Sequence, residues 1–163
     1  MSAINLYLDS KLCALENKEI YSKSFDAFQR IMRIGLITIL TDEIEPMEKF
    51  YREILGFKVV ENLRNYVEFE NKGVRFAICT RDVMGTHTGH ESHSQSSTGQ
   101  SFELAFPVGS PEDVDRIYEE LVERGATQVK SPEMMPWGRK TGFISDPDGN
   151  IHEIYSIKTG ENV

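Results

Sequence analysis

Cysteine is nearly absent from the 163-residue chain. Cys13 and Cys79 are the only two, with no Cys-x-x-Cys spacing and no disulfide framework, so a reducing, cytoplasmic setting is expected. Long apolar runs are missing too. Nothing approaches the roughly 20 consecutive apolar residues of a membrane span, and the N-terminus carries Asp, Glu and Lys where a secretory leader would be apolar. Positive charge is in deficit: 18 Lys and Arg against 26 Asp and Glu leave a net charge of −8. That argues against nucleic acid or an anionic membrane as partner, because nothing offsets repulsion from phosphate. It leaves small molecules open. What is present is ordinary for a globular protein, 39% hydrophobic and 27% charged residues, in a chain long enough for one sizeable core.

The chain divides into an N-terminal extension, 1–30, and a body, 31–157, built of two similar units, 31–81 and 101–157. Between the units, 82–100 is rich in Gly, Ser, Thr and His, the composition of a long loop. In the first unit, 34–40 is apolar and β-branched, a strand. Pro46 then opens a helix whose Met47, Phe50, Tyr51, Ile54 and Leu55 recur at helical spacing, and Gly56 stops it. In the second unit 102–108 is the strand, Ser110 the N-cap and Pro111 the first helical residue. Val114, Ile117, Tyr118, Leu121 and Val122 repeat the spacing, and Gly125 ends the helix. Three strands follow each helix: 57–61, 66–69 and 74–80, then 127–130, 141–145 and 150–155. Each unit therefore reads βαβββ. Neither buries its helix and sheet alone, so the two should pair, with Phe50, Leu55, Phe57, Leu121 and Phe143 in the core.

The segment 141–156 is the most informative. Two strands flank Asp146-Pro147-Asp148-Gly149, a tight turn in which Pro147 presets φ and Gly149 accepts φ > 0. On the second strand Ile151, Glu153 and Tyr155 share one face, while His152, Ile154 and Ser156 share the other. A carboxylate midway along a half-apolar strand faces either water or a site.

The duplication and its punctuation resemble the vicinal oxygen chelate superfamily, which includes glyoxalase I, bleomycin- and fosfomycin-resistance proteins and extradiol dioxygenases. The matching residues are Phe50-Tyr51 with Ile54-Leu55-Gly56-Phe57; Gly73-Val74-Arg75-Phe76; Phe102-Glu103-Leu104-Ala105-Phe106; Pro136-Trp137-Gly138; Phe143; and Asp146-Pro147-Asp148-Gly149-Asn150 with Glu153-Ile154. The resemblance implies an α+β fold: two paired βαβββ modules whose mixed sheet curls into an open cup, helices outside. It also implies a small-molecule ligand, a homodimer, and in many members a divalent metal in the cup. An enzyme of this kind would be a lyase like lactoylglutathione lyase or a related isomerase. The alternative is a metal-free binding protein of the bleomycin-resistance type.

In metal-dependent members the ligands are His or Glu on the first and last strands of each unit. Carried over, the positions fall on Gly35 or Leu36 and on the 75–79 strand of the first unit, which offer none, then on Glu103 and Glu153 of the second. Two carboxylates suit Mg²⁺ or Mn²⁺ with several waters better than Zn²⁺ or Ni²⁺. Without a metal, the two would disfavour each other's charge and one would hold a proton, giving an acid–base pair. Alternatively Arg75 and Trp137 donate to them and the glutamates merely seal the cup. Arg75, Trp137 and Arg139 are the candidate substrate-binding residues; Arg139, with Lys140, would meet an anion at the rim or be solvated. His87, His90 and His93 would either gather over the cup as a lid or remain a solvated loop, since Gly85 and Gly89 argue against a helix there. Cys79, on an apolar strand, is expected to be a buried thiol.

Overall fold

The computed structural model describes residues 33–95 and 99–158. The extension expected over 1–30 lies outside the described residues. The chain divides into Met1–Gly35 and Leu36–Val163, and the following concerns the second of these.

The first unit runs β1 (Leu36–Thr41), α1 (Ile44–Lys49), a π-helical turn (Phe50–Ile54), β2 (Val59–Asn62), β3 (Tyr66–Phe69) and β4 (Arg75–Thr80). The second runs β5 (Ala105–Val108), α3 (Pro111–Glu123), β6 (Thr127–Met134), β7 (Lys140–Ser145) and β8 (Ile151–Ser156). Their sheets share one topology, β1-β4-β3-β2 and β5-β8-β7-β6. β1 pairs β4 in parallel, as β5 pairs β8, and the other pairings are antiparallel. The βαβββ repeat expected from the sequence is the architecture. Among the described residues, no helix is long and apolar enough to cross a membrane.

Local chemistry explains both helices. At α3, the Ser110 hydroxyl accepts from the Asp113 amide while the Ser110 amide donates to the Asp113 carboxylate, a reciprocal cap with Pro111 behind it. Its apolar stripe buries Val114, Tyr118 and Leu121. Tyr118 lies so close to β7 that a Cβ at Gly142 would come within 2.7 Å of its ring, so only glycine fits under it. At α1, the last turn widens: the Leu55 amide donates to the Phe50 carbonyl five residues back, at 3.0 Å. Met47, Phe50 and Tyr51 are all buried.

One apolar cluster spans both units, joining Met47, Phe50, Tyr51, Phe69, Phe76 and Ile78 to Val114, Tyr118, Leu121, Ile144 and Ile154. Of the expected core residues, Phe50 and Leu121 are buried, and Leu55 and Phe57 pack half-buried against the cluster. Phe143 is the exception. It stands opposite Glu153 in the ladder, on the face of β7 away from α3, and is half-buried; strand alternation with Gly142 beneath Tyr118 puts it there.

Two expectations need correction. The 82–100 connection holds a helix, α2 (Arg81–Thr88), followed by a 3-10 turn (Glu91–Ser94). Gly85 is tolerated inside α2, and Gly89 ends it at φ 65°. The Thr86 and Thr88 hydroxyls donate back to the carbonyls of Asp82 and Met84. The other correction is β6, which continues to Met134, four residues past the expected end, through register irregularities opposite β7.

Candidate functional site

Strand alternation on β8 sets up the site. His152, Ile154 and Ser156 are buried, and Ile151, Glu153 and Tyr155 are half-buried on the face turned away from the helices. On the same face lie Glu103, just before β5, and Ala105, which is opposite Glu153 in the parallel ladder. The Glu103 carboxyl lies near enough to Glu153 for the two to interact electrostatically. Burial, then the Glu153 charge, push the Glu103 pKa up from the ordinary value. The Thr141 hydroxyl, fully buried, donates to Glu153 Oε1 at 3.0 Å.

A cavity of about 280 Å³ adjoins the pair, lined by Ala105, Trp137, Arg139, Glu153 and Tyr155. The Met135–Arg139 connection, closed by the Gly138 amide on the Met135 carbonyl, presents Trp137 with 53% of its surface exposed. Arg139 lies over the Tyr155 ring, its guanidinium carbon 4.9 Å from the centroid. Its Nη1 donates to the Ser156 carbonyl at 3.1 Å. The structure therefore brings Glu103, Glu153, Trp137 and Arg139 to one face. Lys140 is not with them: it alternates to the helix side and pairs with Asp115 of α3.

Arg75 is also elsewhere. Its Nε donates to Glu68 Oε1 at 2.7 Å and its Nη2 to Glu68 Oε2, while the Tyr66 hydroxyl donates to Oε2 at 2.7 Å. Those donors, Arg75 first, hold the Glu68 carboxyl down at about 2. Arg75 is thus the partner of Glu68 on β3, and does not seal Glu103 and Glu153 as one expectation had it. The sequence carried a signal for this: Tyr66 and Glu68 alternate with Val67 and Phe69.

The first unit supplies no counterpart to the glutamates. β4 starts two residues after Gly73, as β8 starts two after Gly149, so Ala77 corresponds to Glu153. Thr38 stands opposite Ala77 as Ala105 stands opposite Glu153, which places Leu36 where Glu103 lies. Neither Leu36 nor Ala77 can ligate. Among the described residues, no three His, Cys, Asp or Glu side chains converge to hold a metal ion. His87, His90 and His93 do not gather; His90 Nδ1 instead bonds Ser92. Two carboxyl groups with no third His, Cys, Asp or Glu beside them among the described residues are a poor donor set for a resident cation, and no step below uses one. Cys79 is buried, and burial pushes its thiol pKa up, as expected of an inert thiol.

Sequence reasoning missed a second polar cluster, inside the core. The Tyr51 hydroxyl lies 3.0 Å from His152 Nε2 and 3.2 Å from Asp146 Oδ2, and the latter two are 3.3 Å apart. Asp146 also accepts from the Asn150 amide at 2.9 Å and its side-chain nitrogen at 2.8 Å. The proton arrangement that satisfies this network runs from His152 Nε2–H to the Tyr51 oxygen, and from the Tyr51 hydroxyl to the carboxylate. His152 Nδ1 then faces apolar surroundings without a protein partner. Strand alternation already put His152 on the buried face; that it would find Tyr51 was not legible.

Comparison with known proteins agrees with this fold. The profile of the Glyoxalase/Bleomycin resistance protein/Dioxygenase superfamily matches residues 33–154. The chain belongs to that superfamily. It is 31% identical over 130 residues to the uncharacterized protein YraH of Bacillus subtilis, covering 77% of this chain and 99% of that protein. Among solved structures it resembles a glyoxalase/bleomycin resistance protein/dioxygenase from Nocardioides, with a TM-score of 0.71 at 23% identity over 86% of this chain and 96% of the other. It also resembles a lactoylglutathione lyase from Agrobacterium tumefaciens, with a TM-score of 0.63 at 19% identity over 80% and 98%. At these identities the structural likeness speaks for the fold alone.

Proposed function

We propose that the helix-distal face of the second unit takes up a small oxygenated molecule and that Glu103 and Glu153 act on it as an acid–base pair. The observation that supports this reading is the placement of the two carboxyls on one face, Glu103 with a raised pKa, beside an open cavity. With a carbonyl compound bound there, the Glu153 carboxylate removes a proton from the carbon next to the carbonyl. The Glu103 carboxyl gives its proton to the carbonyl oxygen, forming the enol. Return of the protons to exchanged positions completes an isomerisation with no net change of charge.

The test is deuterium uptake at the α-carbon of dihydroxyacetone in heavy water, followed by NMR. Wild type should accelerate it, and Glu153→Gln should lose roughly 10²–10⁴-fold, the usual share of a positioned acid or base. Glu103→Gln should also lose rate, with its melting temperature unchanged or raised at neutral pH, because the raised pKa means ionising Glu103 costs stability as pH increases. Equal rates in wild type and both variants would refute the pair. Saturable binding with no uptake above background would favour the second reading, a metal-free binding protein, which Leu36 and Ala77 at the counterpart positions support.

The protein is also proposed to work as a homodimer. Met134 and Trp137 are 63% and 53% exposed at one end of the β6–β7 hairpin, apolar surface of the kind a partner covers. Light scattering should give twice the chain mass at micromolar concentration; a monomer mass would rule the dimer out.

A further inference from the structure

A second recess lies between the start of β4 and strand β5, with a volume of about 360 Å³. Phe57, Phe76 and Phe106 form its aromatic floor, with Phe57 centred 5.8 Å from Phe76 and 6.1 Å from Phe106. Ile37, Val74 and Leu104 add apolar wall. The polar residues lining it are Asn71, Lys72 and Arg75. Asn71 is fixed by donating to the Val74 carbonyl at 2.6 Å. Lys72, exposed on the β3–β4 turn, has no carboxylate partner among the described residues. Arg75 commits Nε and Nη2 to Glu68 and keeps Nη1 free of that pair, with 60% of its side chain exposed.

No Asp or Glu lines this recess, in a chain whose net charge is −8. Local positive charge against that background, beside an aromatic floor, selects for a ligand with a flat apolar body and an anionic end. We infer that the recess is a binding site for an aryl carboxylate, its ring against Phe57, Phe76 and Phe106 and its carboxylate beside Lys72. Such a ligand would be repelled from the Glu103–Glu153 face. The inference therefore stands apart from the function proposed for that face, although Ala105 borders both cavities.

The experiment compares 2-naphthoate with its neutral isostere 2-naphthalenemethanol, titrated into the full chain and followed by calorimetry and by NMR of the protein. Naphthoate should bind saturably with one-to-one stoichiometry, at least roughly tenfold more tightly than the alcohol, the contribution of one surface charge pair. Its affinity should fall as salt rises from about 50 to 500 mM, and Lys72→Glu should weaken it by roughly tenfold or more. Shifts should centre on Lys72, Phe76 and Phe106. Equal affinity for acid and alcohol would overturn the inference, as would binding indifferent to salt, absence of saturable binding, or shifts centred on the Trp137 indole. Should Lys72→Glu fail to fold, the wild-type salt dependence and the shift map decide.

Discussion

Tyr51→Ala should destabilise the protein by roughly 3–5 kcal/mol, the loss typical of deleting a fully buried aromatic ring. Tyr51 has no exposed surface, and its ring meets Phe50, Phe57, Phe69 and Phe76 at centroid distances of 5.0–6.3 Å. Tyr51→Phe separates packing from hydrogen bonding. It keeps the ring and deletes the hydroxyl, leaving His152 Nε2 and Asp146 Oδ2 each short of a partner, and should cost roughly 1–3 kcal/mol. Denaturant unfolding measures both. A Phe variant as stable as wild type would mean that the hydroxyl contributes nothing to the buried network.

Asp146→Ala should cost about as much, roughly 3–5 kcal/mol, because it strips the acceptor from several buried donors at once. Asp146→Asn is the more informative variant. Burial pushes the Asp146 pKa up, but the neighbouring His152 imidazole and the hydrogen bonds from Asn150 outweigh that, and the net shift is below the ordinary 3.8. A depressed carboxylate pKa stabilises the fold above the ordinary value, and the contribution is lost as pH falls through the folded value. The stability gap between wild type and Asp146→Asn should therefore be widest near neutrality and close below about pH 4. A gap that stays constant with pH would show that the carboxylate charge plays no part.

The parts legible in the sequence were those governed by short-range patterning. Glu153 and His152 were assigned to opposite faces by alternation alone. The Ser110 cap, Pro111 and the Gly125 stop marked the bounds of one helix, and the second copy of the pattern pointed to the pairing of units. Glu103 and Glu153 came from the family resemblance, and the ladder between β5 and β8 explains why they meet. What was not legible depends on which distant residue a side chain finds. Arg75 was read as a donor to Glu103 and Glu153, and the proximity of Glu68 across β3 and β4 gave it another partner. Tyr51 read as one more apolar helix position because nothing local reveals a hydroxyl's partner 95 residues away. The α2 helix was missed because glycine's low helix propensity was weighed without the threonine back-bonds and the Gly89 terminus.

The Tyr51 contact also bears on how the chain comes apart. Its hydroxyl belongs to the first βαβββ unit, and the imidazole and carboxylate that it joins belong to the second. Withdrawing either unit would strand the other's polar groups in an aromatic interior, where each unpaired atom is costly. Opening along the seam breaks these hydrogen bonds together with the shared apolar cluster, which couples the two halves. The two similar units are thus not interchangeable: the first provides the hydroxyl, and the second the imidazole and the carboxylate that flank it.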